Sequence, residues 1–105
     1  MYEPMELGGV NNHEITQKDT DRVNALSGAI NQQIGVINTS YTIVEGKKQI
    51  VNGTNYFYHL KGNPHNSKVT VTIYEPLAGG NPTLSKLTQG YNPLKYCHNW
   101  LSRWI

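Results

Sequence analysis

One cysteine, Cys97, stands among 105 residues, so no internal disulfide can staple the fold. An excess of either charge is missing as well. Nine Lys and Arg against seven Asp and Glu leave a formal net charge of +2. That balance excludes the electrostatic footprint of a nucleic-acid or anionic-membrane binder. No apolar run is long enough to cross a bilayer. The opening Met1-Tyr2-Glu3-Pro4-Met5-Glu6-Leu7 is neither basic nor followed by an apolar stretch, so no secretory signal is read there. The expected setting is therefore cytoplasmic. Asn38-Thr39-Ser40 and Asn52-Gly53-Thr54 match the glycosylation acceptor pattern, and both read as chance.

Catalytic groupings are equally scarce. His13, His59, His65 and His98 share no metal-ligand spacing with one another or with Cys97. Acidic residues are scattered without pairing. Gly8-Gly9 and Gly79-Gly80 lack the Lys and the spacing of a phosphate-binding loop. Cys97 reads as a plain buried cysteine, and His59 as half-exposed sheet surface. No enzyme activity, metal or cofactor is implied.

What is present is one domain of regular patterns, residues 1–105. Residues 1–12 hold Pro4, Gly8 and Gly9 with little periodicity and are expected to form a flexible arm. Val23, Leu26, Ile30, Ile34 and Ile37 recur at intervals of three and four, the apolar face of a helix. Its start is expected between Ile15 and Asp19, with Asp19 and Asp21 suiting the positive end, and its stop at Gly35. Gly28 inside it marks either a close approach to the sheet or a tolerated imperfection. Strands follow around Tyr41–Val44, Asn55–Lys61, Val69–Tyr74 and Thr83–Thr88, separated by Gly-, Asn- and Pro-rich turns. Val69, Val71 and Ile73 alternate with Thr70, Thr72 and Tyr74 as in a half-buried strand. The 92–105 tail reads equally as a short helix or an extended segment. With Trp100, Leu101, Trp104 and Ile105 it is apolar enough to dock on the body. The expected fold class is α+β, one long helix packed across an antiparallel sheet of four to five strands.

Three segments break the rule that loops and termini are polar: Leu7-Gly8-Gly9-Val10, Gln49-Ile50-Val51-Asn52-Gly53 and Leu77-Ala78-Gly79. Asn52-Gly53 is a two-residue hairpin signal in which both positions need φ > 0. Alternate turns of a meander fall at one end of the sheet. The turns near 51 and 78 should therefore share an edge, which the N-terminal arm can reach. Together they would form an apolar wedge suited to a narrow cleft in another protein.

These same residues resemble the stefins, the type 1 branch of the cystatin superfamily. Gly8-Gly9 is similar to the family's N-terminal glycine trunk. Gln49-Ile50-Val51-Asn52-Gly53 matches the Gln-x-Val-x-Gly inhibitory hairpin and runs on into the stefin-like Thr54-Asn55-Tyr56-Phe57. Leu77-Ala78 falls where stefins carry Leu-Pro. The resemblance implies reversible, tight inhibition of papain-like cysteine proteases, whether cathepsin L/B-like or papain itself. Leu7, Gly8 and Gly9 would lie on one side of the catalytic centre. Gln49, Ile50, Val51, Asn52 and Gly53 would cover the other side, and Leu77 and Ala78 would add contact beyond. A monomer is expected, with a domain-swapped dimer available if the first hairpin straightens. The competing expectation is a binding module of the same fold that inhibits no protease. Ala78 in place of Pro and the aromatic tail depart from the stefin pattern.

Overall fold

The computed structural model of the chain describes residues 9–91. Its elements run β1 (Val10–Asn12), α1 (Gln17–Ala25), α2 (Ser27–Ile34), β2 (Ser40–Val51), β3 (Gly53–Asn63), β4 (Lys68–Glu75) and β5 (Thr83–Gln89). The five strands form one antiparallel sheet in the order β1-β2-β3-β4-β5. The helical segment lies on one face, giving the α+β arrangement expected of a cystatin-like chain. Leu7, Gly8, Cys97 and the whole 92–105 tail lie outside the described residues.

The single helix expected here is divided at Leu26, whose φ of −107° and ψ of 7° are not helical. Its N–H bonds the Val23 carbonyl at 3.0 Å, three residues back, and the ladder resumes when Ile30 N–H bonds Leu26 O at 3.0 Å. Two weak helix formers sit at the break. The Ser27 hydroxyl donates to the Asn24 carbonyl at 2.9 Å, competing with the backbone. Gly28 is exposed, with nothing within 4 Å of where a Cβ would stand. It marks no close approach, so it is the tolerated imperfection. The start follows the expected chemistry: the Thr16 N–H donates to Asp19 Oδ2 at 2.8 Å, satisfying a terminal donor. Gly35 closes the second helix in the left-handed region, at φ 72°. That turn ends the 3.6-residue period, so Ile37 falls off the apolar stripe and is 78% exposed.

Val23 and Ile30 pack on Tyr41, Tyr58, Leu60, Val69, Val71 and Ile73, all buried, with Leu26 and Ile34 flanking them. The opposite face of the sheet corrects two expectations. Phe57, His59, Thr70 and Thr72 alternate with those core residues and are buried too. Strands β3 and β4 are therefore covered on both sides, and His59 is not half-exposed. Tyr91 lies on this second face. Its ring stacks on His59 at 4.8 Å and its hydroxyl donates to the Leu60 carbonyl at 2.8 Å. Burial holds the His59 imidazole below its ordinary pKa, against the opposing pull of Glu45. At the far end of the sheet Asn38 is buried, its amide donating to the Tyr41 hydroxyl and to Ser67 Oγ. Such an amide has no room for a glycan, in line with the chance reading of that acceptor pattern.

Candidate functional site

The strand register decides which turns are neighbours. Val51 pairs with Gly53 and Ile50 with Thr54, so Asn52 alone occupies the tip of the β2–β3 hairpin. Thr54 pairs with Glu75, so the loop after β4 leaves the sheet beside that tip. Val10 pairs with Gln49, so β1 begins on the other side of it. The turn around Pro64–His65 lies at the opposite end. Gly9, the first hairpin and the second hairpin therefore stand in a row along one edge, as the meander argument requires. Val10–Asn12 had been expected within the arm; they are instead tied into the sheet, which brings the arm's exit to this edge.

Every residue from Ile50 to Gly53, and from Pro76 to Pro82, is uncharged. Val51 is 39% exposed and Leu77 is 77% exposed, while Ile50 is half-buried and Asn52 and Ala78 are open. In the second hairpin, Gly79 N–H bonds the Pro76 carbonyl at 3.3 Å. That closes a β-turn with Leu77 and Ala78 at its two corners, side chains turned outward. Gln49 is a brace rather than a tip: its Oε1 accepts from Asn55 Nδ2 at 3.1 Å across the hairpin.

The first turn differs from the two-residue form expected from Asn52-Gly53. Only Gly53 has positive φ, at 106°. The odd register makes a three-residue turn, which needs one such position rather than two. Gly53 is also sterically confined. A Cβ there would stand 2.6 Å from Tyr74 Oη, 2.8 Å from Tyr74 Cε1 and 2.7 Å from the Glu75 carbonyl oxygen. Glycine is thus required twice over, for conformation and for space.

Behind the edge lies a polar cluster that sequence reasoning missed. Asp19, assigned only to helix capping, is 1% exposed. Its Oδ1 accepts from Tyr58 Oη at 2.5 Å and Arg22 Nη1 at 2.8 Å, and lies 2.8 Å from His13 Nε2. Burial alone would raise the Asp19 carboxyl. The hydrogen bonds from Tyr58, the Thr16 backbone and His13 outweigh it and hold the pKa down to about 2. Arg22 lies over the Tyr56 ring at 3.8 Å, and its Nε donates to Glu75 Oε1 at 2.9 Å. This side chain therefore ties the helix to the base of the second hairpin. Asp19 and Arg22, three apart on one helix face, were the available signal.

No group of three or more potential metal ligands occurs among the described residues, and no helix among them is long and apolar enough to cross a membrane. No family model matches the chain. Cystatin-A2 of Dictyostelium discoideum is 31% identical over 81 residues, covering 76% of this chain and 83% of that protein. The chain belongs to the cystatin superfamily. Cystatins are inhibitors of cysteine proteases, not enzymes. In this cystatin the sheet and the helix order match what the stefin resemblance implies. Gly9, Gln49, Ile50, Val51, Asn52, Gly53, Leu77 and Ala78 lie along one edge of the sheet, and Leu7 and Gly8 precede it outside the described residues.

Proposed function

We propose that this cystatin is a reversible, tight-binding inhibitor of papain-like cysteine proteases and belongs to the stefin branch. The observation that carries the reading is the alignment of two uncharged, partly apolar hairpins along one sheet edge, with Gly9 beside them at the start of β1. Such a rim can enter a narrow cleft without desolvating a charge. The inhibitor presents no bond to attack. Leu7, Gly8 and Gly9 occupy one side of the cleft. Val51, with Gln49, Ile50, Asn52 and Gly53 forming its hairpin, covers the catalytic region, and Leu77 and Ala78 extend the apolar contact. The monomer is the inhibitory form, since domain swapping would straighten the first hairpin and dismantle the edge. The cytoplasm is the proposed setting.

Titrating papain and cathepsin L-like and B-like enzymes with the monomer fraction from size exclusion tests this. Inhibition well below micromolar is expected. Its absence at micromolar concentration would instead support a cystatin-fold binding module with another partner. Removing residues 1–9 should weaken inhibition about 10-fold or more, mostly through faster dissociation, because contacts are lost while the encounter is unchanged. An unchanged dissociation rate would remove the arm from the site.

The 92–105 tail is proposed to dock on the second face of the sheet. Buried Phe57, His59, Thr70 and Thr72, and Tyr91 lying over His59, support this. A chain ending at Tyr91 should lose at least the ~2 kcal/mol that one large apolar side chain contributes. An unchanged denaturation midpoint would contradict the docking.

A further inference from the structure

Tyr74 is half-buried near the end of β4, on the face that carries Thr70 and Thr72, and pairs with Asn55 of β3. It has no place in the buried core. Its ring instead occupies the space that Gly53 leaves open, and its hydroxyl donates a hydrogen bond to the Asn52 carbonyl at the tip of the first hairpin. Diagonal neighbours across antiparallel strands are within reach of a long aromatic side chain, and this one spans from one hairpin to the other. The next residue, Glu75, is held by the buried Arg22. A continuous chain of contacts thus runs from the helix through Arg22, Glu75 and Tyr74 to Asn52.

We propose that Tyr74 is a positioning residue: it fastens the tip of the first hairpin to the base of the second, so that Val51 and Leu77 meet a protease cleft as one rigid unit. The inference rests on the proposed inhibitory reading of this edge. A phenyl ring could fill the gap at Gly53, but only a hydroxyl can hold the Asn52 carbonyl. Without that bond the first hairpin must be ordered during binding, and the ordering cost appears as weaker affinity.

The test is Tyr74→Phe, which removes the hydroxyl and keeps the ring. Against papain, dissociation should quicken about 5- to 10-fold, the equivalent of one lost hydrogen bond, with association changed by less than about twofold. The urea midpoint should stay near that of the wild type, since the bond lies at the rim. In the free protein, amide exchange at residues 51–54 should accelerate while the core amides do not. That last readout separates positioning from direct contact between the hydroxyl and the protease. Tyr74→Leu, which also empties the space at Gly53, should dissociate faster still. Unchanged inhibition by Tyr74→Phe, or faster dissociation with no change in exchange at 51–54, would overturn the inference while leaving the inhibitory edge intact. Val51→Asp serves as the control: it should abolish inhibition if the edge is the site. Wild-type protein that fails to inhibit would overturn the site reading and this inference with it.

Discussion

Asp19→Ala should destabilise the protein by about 3–5 kcal/mol, measured by urea denaturation at pH 7. The substitution removes the carboxylate on which Arg22, Tyr58, His13 and the Thr16 N–H converge. Arg22 is 8% exposed and would keep the neutral Tyr58 hydroxyl and Tyr56 ring, with Glu75 at the rim as its remaining ion-pair partner. Leaving a buried guanidinium half-compensated costs far more than the pair contributes when intact. The same group predicts a pH dependence. Its carboxyl is held at about 2, below the ordinary value of 3.8, so the folded state favours the ionised form. That contribution is complete above pH 3.8 and is lost as the pH falls through 2. It amounts to about 2 kcal/mol. Wild-type stability should fall across this window, and the Asp19→Ala variant should show a shallower fall. A variant within 1 kcal/mol of wild type at pH 7 would mean that the cluster is not structurally decisive.

Gly53→Ala should weaken inhibition of papain on the order of 100-fold. Two costs add. An L-residue at φ 106° carries about 1–3 kcal/mol of strain. The new methyl would also need space held by Tyr74 and by the Glu75 carbonyl, and the latter is backbone that cannot swing aside. The tip must shift, and Val51 shifts with it. Gly79→Ala is the informative contrast. Gly79 also has positive φ, at 80°, but nothing lies within 4 Å of its missing Cβ. It should therefore pay strain alone, and inhibition should weaken no more than about 10-fold. Equal effects of the two substitutions would show that conformation, not space, governs the first hairpin.

The architecture was readable because its signals are local. Val23, Leu26, Ile30 and Ile34 carry a period that only a helix satisfies, and Gly35 ends it in the conformation glycine prefers. Val69, Val71 and Ile73 point to one face by alternation alone. Ile37 was misplaced because a period cannot show where its helix has already stopped. The second covered face of the sheet was hidden because threonines at 70 and 72 read as solvent-facing wherever they occur. The candidate residues of the two hairpins were visible as apolar residues in turns, and counting turns placed those hairpins on one edge. What holds those turns was invisible. Asp19 meets Tyr58 across 39 positions, and Arg22 meets Glu75 across 53. Tyr74 looked like one more alternating strand residue. Its role depends on a three-residue turn that the Asn52-Gly53 pair does not announce.

Amide exchange of residues 1–105, free and saturated with papain, decides whether a protease binds along this edge. Binding should protect residues 8–10, 49–54 and 76–80 together, with little change in the helix or at residues 62–67. Protection confined to the helix, the second face of the sheet or the opposite turns would contradict it.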